Sequence, residues 1–320
     1  MTAFELLRDG AHPKLYATLG ARFHLEPLLP EDVERLERAN EYVLDWIGGE
    51  LRQTNHSFID EITPFRPSDL DFISEYPSSL EGGESETALG EGFTGLVAQS
   101  RRGLSVAVNG GTTSLAASPF KYSFVSDVIA HDEARMQALA VLEVHFPGDW
   151  PSEDFARRVT ELSSFLRLRW GNAGWTYSHW HVSDPHPTWR RMAAHAQRHW
   201  GFDVGWVGGD LERAHARIRS VSWLTWIGDS LREETGIDPL ARAATLVRGA
   251  PGPGWTLLRA GATPEQGDIN RLQIPPAYRE ADLLVRRARA SDAVDWNWPE
   301  WSETRTTEWL RRFERAATWH

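Results

Sequence analysis

Val33, Leu36, Val43, Leu44 and Ile47 recur at helical spacing behind Leu29-Pro30-Glu31-Asp32, a start with an early proline and acids in the first turn. A helix is therefore predicted there, stopped by Gly48-Gly49. The rest of the first hundred residues reads as helices and loops. The Pro-, Ser-, Gly- and Glu-rich stretch from Pro64 to Gly95 is expected to be a long acidic loop region. Strand patterns follow. Leu104 to Val108 alternates and runs into the turn signal Asn109-Gly110-Gly111, and Lys121 to Ile129 is a second strand. Leu139 to Phe146 is almost continuously apolar, as in a central strand. Pro151 opens a helix with Phe155, Val159, Leu162, Phe165 and Leu166 on one face, and Ala173 to Val182 returns as a strand.

The later chain repeats this order. Thr188 to Trp200 is a predicted helix. Val221 to Ile227 is a strand leading into a helix that ends near Gly236. Gly249 to Gly254 reads as a turn, Trp255 to Ala260 as a strand, and Thr304 to Ala317 as a helix carrying Trp309, Leu310 and Phe313 on one side. The expected class is α+β, with mixed β-sheets covered by helices and room for two related lobes around residue 118. The division expected is an N-terminal acidic helical and loop region over residues 1–118, leading into the sheet, and an α/β domain over 119–320.

Charge adds a second pattern. The net charge is −11 over 320 residues, but residues 1 to 150 carry −13 and residues 151 to 320 carry +2. Between Glu26 and Glu91 stand 17 acids against Arg35, Arg38, Arg52 and Arg66. A field of that sign repels nucleic acid and raises the encounter rate of a basic partner, although acidic surfaces also serve plain solubility. There is no cysteine, which excludes disulfides, thiolate ligands and thiol nucleophiles. The start lacks a basic leader and an apolar run, and no stretch is long enough to span a bilayer, so a cytoplasmic protein without membrane contact is expected.

Candidate chemistry is sparse. His179 and His181 share one face of a predicted strand, and His195 and His199 share one face of a predicted helix. Two such pairs can converge on a tetrahedral metal site. However, His195-Ala196-Gln197-Arg198-His199 lacks the glutamate of the zinc-protease helix. No nucleophile elbow, phosphate loop or dinucleotide fingerprint occurs, and Gly249-Ala250-Pro251-Gly252-Pro253-Gly254 has glycines without the N–H donors a phosphate cradle needs. The expectation is no catalytic residue, no metal and no cofactor. Of the 16 tryptophans most are expected in the core, with interface and ligand-stacking places open for the rest. Arg259, Asp268, Asn270 and Arg271 form a polar cluster read as an ion pair and turn. In an enzyme Asp268 would be a base and Arg259 an anion clamp.

The stretches Ser222-Trp223-Leu224-Thr225-Trp226-Ile227-Gly228-Asp229, Leu258-Arg259-Ala260-Gly261 through Asn270-Arg271, Pro276-Ala277-Tyr278-Arg279 and Thr307-Glu308-Trp309-Leu310-Arg311-Arg312-Phe313 resemble the type VI immunity family of bacteria. The resemblance covers residues 120 to 318. It implies a protein that neutralises a cognate toxin delivered by a neighbouring cell, by binding it and blocking its active site. It also implies no catalytic residues. In that reading Glu81, Glu84, Glu86 and Glu91 are the partner-binding candidates, an acidic surface set against a basic cleft. The alternative is a metal- or small-molecule-dependent enzyme or sensor using His179/His181 and Asp268/Arg259.

Overall fold

The computed structural model describes residues 4–56, 59–79, 103–132, 135–180, 186–204, 215–241, 245–290 and 301–315. Its strands are β1 (Glu5–Asp9), β2 (His12–Leu25), β3 (Gln53–His56), β4 (Ile59–Pro64), β5 (Ser105–Asn109), β6 (Lys121–Asp132), β7 (Arg135–Pro147), β8 (Leu168–His179), β9 (Leu224–Gly228), β10 (Val247–Gly252) and β11 (Trp255–Ala260). They form one eleven-stranded sheet in the order β10-β11-β9-β8-β2-β7-β6-β5-β3-β4, with β1 paired to β2. The class is α+β. Every pairing between these strands is antiparallel, where mixed sheets were expected, because hairpins and returns join them and no helical crossover links parallel neighbours.

β2 sits mid-sheet and decides what the two faces are made of. Its register sets Leu19 opposite Phe146 and Trp175, and Arg22 opposite Glu143 and Asn172. Side chains alternate along a strand, so Leu15, Ala17, Leu19, Ala21 and Phe23 take one face, and Thr18, Gly20, Arg22 and His24 the other. Helices α1 (Val33–Ile47) and α3 (Ser152–Ser164) pack on the apolar face. There Trp46 stacks on Phe146 at 3.9 Å, and Phe155 meets the same ring edge-on at 5.6 Å. Helix α2 (Asp71–Ser79) lies against α1, where the Asn40 amide donates to the Leu70 carbonyl (3.0 Å) and accepts from the Tyr122 hydroxyl (2.7 Å).

The polar face is covered as well. Asp203 meets Arg22 and His215 meets His24 on it, and the C-terminal helices α7 (Glu303–Leu310) and α8 (Arg312–Arg315) hold the residues just before Asp203. Arg312 donates to the carbonyls of Trp200 (2.8 Å) and Phe202 (3.3 Å) and to the Ser220 hydroxyl (3.0 Å). The remaining helices are α4 (His186–Arg198), α5 (Asp229–Thr235) and α6 (Pro276–Val285). α5 ends on Gly236 at φ 62°, a left-handed position that a Cβ would strain.

Four expectations change. The opening residues form strands, and β2 is the sheet's central strand and not part of a helical and loop region. Within Pro64 to Gly95 the described part is ordered, as a 3₁₀ turn at Pro67–Leu70 and then α2. Gly249 to Gly254 is mostly β10, pairing Gly252 with Trp255. Pro251 is tolerated there because β10 is an edge strand with no outer ladder to feed. The C-terminal helix is two short ones, broken at Arg311.

Candidate functional site

The most concentrated polar chemistry lies inside the molecule. Arg22 donates to Glu143, and its Nη1 reaches Asp203 Oδ2 at 2.8 Å. Asn172 donates to the same Asp203 oxygen at 2.9 Å, and Thr176 donates to the Asp203 carbonyl at 2.8 Å. Lys121 and His145 stand 3.9 and 3.5 Å from Glu143. Burial opposes charging Glu143, but Arg22 foremost among its neighbours holds the carboxyl well below the usual range. Burial likewise opposes charging Arg22, and Glu143 and Asp203 together keep it above its ordinary value. The cavity lined by Arg22, His145, Asn172, Thr176 and Asp203 holds about 10 Å³, the size of one water and too small for a substrate. This layer welds β2, β7 and β8 to the segment at Asp203.

Three of the four candidate histidines fall among the described residues. His179 ends β8, where burial first, and Lys121 next, press it down to about 3. His195 on α4 shares a 2.9 Å hydrogen bond with the Tyr177 hydroxyl, and burial, then His199, lowers it to about 4. The His199 ring lies 4.4 Å from that of His195 and donates from Nδ1 to the Gly267 carbonyl at 2.7 Å. His181 lies outside the described residues. Among the described residues no group of three or more His, Cys, Asp or Glu side chains is placed to hold a metal ion.

Arg259 and Asp268 are not partners. Arg259 donates to Glu153 at the start of α3 (3.0 Å from Nη1) and sits 5.0 Å over the Trp223 ring. Asp268 receives both Arg198 Nε (3.1 Å) and Nη2 (2.7 Å), which holds its carboxyl below the usual value. It also caps the 3₁₀ turn Ile269–Arg271 by accepting from the Asn270 amide at 3.0 Å, and Arg271 stands 3.6 Å away. The expected cluster is therefore Asp268, Asn270 and Arg271 joined by Arg198, with Arg259 elsewhere. Asp268 as a base and Arg259 as an anion clamp would have to face one substrate, and the two side chains engage different partners. Trp170, Trp223 and Trp226 are wholly buried. Trp200, Trp301 and Trp309 line a cleft of about 260 Å³ with Gln197, Ile269 and Glu308.

Acidic charge predominates on the exposed side of α1 and α2, where the cations are Arg35 and Arg38. Glu34, Glu37, Glu41 and Asp45 are exposed at three- and four-residue steps along α1, and Asp71 and Glu75 are exposed on α2. The two helices bring them together: partial burial, then repulsion from Asp71 and from Glu37, raises the Glu75 carboxyl. None of the six was singled out as a site residue from the sequence, although all fall inside its acid-rich Glu26 to Glu91 stretch. Glu81, Glu84, Glu86 and Glu91 lie outside the described residues, in the segment that leaves α2 at Ser79 and re-enters at β5.

No helix of the described residues is long and apolar enough to cross a membrane. No curated protein matches the chain in sequence. A solved T6SS protein of Pseudomonas aeruginosa has the same fold, with a TM-score of 0.70 at 17% identity over 98% of this chain and 90% of that one. Residues 63–313 match the family TsiV, described as type VI immunity for VRR-NUC. That stretch takes in both the acidic helix α2 and the Asp268 turn, and on it the chain belongs to the type VI immunity family for VRR-NUC.

Proposed function

We propose that the chain neutralises a cognate VRR-NUC toxin by binding it and occluding its active site, with no turnover of its own. The observation that carries this is the acidic face of α1 and α2, where Glu34, Glu37, Glu41, Asp45, Asp71 and Glu75 are exposed together and burial, then Asp71 and Glu37, raises Glu75. A nuclease must present a basic cleft to its polyanionic substrate, and a rigid acidic face is the complement of that cleft. Glu81, Glu84, Glu86 and Glu91 follow α2 directly in sequence and extend the same charge. The partner is thus a protein and not a nucleic acid, which this face repels. Protection would be exerted in the cytoplasm, where the nuclease meets its substrate.

The test is to express a cognate VRR-NUC toxin with and without the chain, and to titrate a nuclease-inactive form of it against the chain. Rescue of growth and a 1:1 complex whose association slows as salt rises are expected. Reversing Glu37 and Glu41 to arginine should slow association by about tenfold or more while leaving the fold intact. No rescue, together with no complex at low salt, would refute the proposal.

A further inference from the structure

The turn after β11 has a feature the fold does not use. Leu272 adopts φ 56° and ψ 26°, the left-handed region, and among the described residues it is the one non-glycine with positive φ. There its Cβ crowds the following carbonyl, a strain that glycine avoids and that asparagine bears more easily. Its side chain offers no compensation inside the molecule, being 80% exposed. A single exposed leucine is ordinary, but one held on a strained backbone is not.

The turn is also held rigidly. Asp268 is clamped by two hydrogen bonds from Arg198, and Asp268 and Gln273 exchange backbone hydrogen bonds of 2.8 and 2.9 Å. The Leu272 amide donates to Ile269 at 3.1 Å, the Gly201 amide to Gln266 at 2.7 Å, and the His199 ring to Gly267. Beside Leu272, Arg271 is 69% exposed, and its nearest carboxylate, Asp268, is already occupied by Arg198. So the tip presents one aliphatic side chain and one cation on a preorganised backbone, and Ile269 carries it to the rim of the tryptophan-lined cleft.

We infer that Asn270–Leu272 is a second toxin-contact element, a plug that places Leu272 in an apolar pocket and Arg271 on carboxylates at that pocket's rim. The inference rests on the immunity reading. Arginine is among the residues that dominate interface energetics, and an apolar side chain held on a preorganised backbone loses little entropy on docking. A phosphate backbone would engage Arg271 but gain nothing from Leu272, which argues for a protein partner. The partner's pocket is acidic because the tip is cationic, the reverse of the contact proposed for α1 and α2.

The experiment titrates full-length wild type, Leu272→Gly, Leu272→Met and Arg271→Glu against the nuclease-inactive VRR-NUC toxin, with urea melts of each variant alone. Leu272→Gly relieves the strain, so its melt should match or exceed wild type while its Kd weakens by about tenfold or more. Leu272→Met should bind within about threefold of wild type, and Arg271→Glu should weaken binding by about tenfold or more. If wild type binds and both Leu272→Gly and Arg271→Glu bind equally well, this assignment is wrong and the immunity reading stands. A wild type that binds no toxin overturns both. A wild-type dimer that Leu272→Gly dissolves, or nucleic-acid binding that Arg271→Glu abolishes, reassigns the tip away from the toxin.

Discussion

His24 and His215 set a limit on the acid stability of this fold. The His24 ring is fully buried, stacks on Trp170 at 3.9 Å and lies 5.8 Å from His215. Neither ring has a hydrogen-bond partner on either nitrogen among the described residues. Burial, followed by His215, drives His24 well below its ordinary value, and burial, followed by Arg169, drives His215 to about 3. Burial holds both toward the neutral form in the folded chain, while in the unfolded chain each protonates near pH 6.5. The unfolded state then binds more protons than the folded state, so stability falls as pH falls through that window.

The magnitude follows from the unfolded pKa alone. At pH 5 each histidine lies about 1.5 units below it, and at about 1.36 kcal/mol per unit each favours unfolding by about 2 kcal/mol. The pair removes about 4 kcal/mol between pH 7 and pH 5, a large part of the roughly 5–15 kcal/mol that typically holds a domain together. Urea unfolding followed by circular dichroism and by tryptophan fluorescence, at pH 7, 6 and 5, measures the slope and checks that the two probes coincide. The double variant His24→Phe/His215→Phe keeps an aromatic ring against Trp170 but cannot protonate. Its pH dependence should be shallower than that of wild type by about 4 kcal/mol over the same range. A double variant that parallels wild type would show that these rings do not carry the acid lability, and a wild type flat from pH 7 to 5 would show that they are not buried as described.

Two further substitutions separate interior charge from surface charge. Arg22→Met leaves Glu143 and Asp203 buried without their shared guanidinium and should destabilise the chain by about 3–5 kcal/mol in urea, or abolish soluble expression; a loss under about 1 kcal/mol would contradict the buried network. Arg259→Ala breaks the ion pair with Glu153, a side chain 74% exposed, and should cost no more than about 1 kcal/mol in the same melt, so a larger loss would mean the Trp223 contact beneath it matters more than the charge.

Several strands could be read directly. β11 falls on the predicted residues, because Trp255 to Ala260 is apolar and bounded by glycine turns on both sides. β2 was equally open to reading, since Leu15, Ala17, Leu19, Ala21, Phe23 and Leu25 alternate without a break. Alternation could not show that Arg22 and His24, which look solvent-facing beside them, meet a second covering layer. That layer is brought in by Asp203 and Arg312, 181 and 290 residues away in sequence from Arg22. The same limit applies to the site. The turn at Asp268 was legible as a carboxylate–guanidinium cluster, but its clamp, Arg198, comes from another helix, and Arg259 turns away to Glu153. The charge excess between Glu26 and Glu91 was visible as a count. Only the packing of α2 on α1 shows that Glu37, Asp71 and Glu75 press on one another.

That pressure is what separates the two populations of charge in this protein. Inside, acids and bases are matched: Arg22 with Glu143 and Asp203, and Arg289 with Asp282. Such pairs fix which strand meets which segment, because breaking one strands a charge in the interior. On the outer side of α1 and α2 the acids are matched by little, and their mutual repulsion works against the folded monomer. A basic partner seated there would remove the repulsion as well as add attraction, so the surface is better suited to a complex than to the free chain. An enzyme built on this fold would instead need its perturbed groups to open onto a shared cavity. Here Glu143, His24 and His215 are strongly perturbed but sealed in the interior, and the exposed acids of α1 and α2 are the ones arranged to be covered.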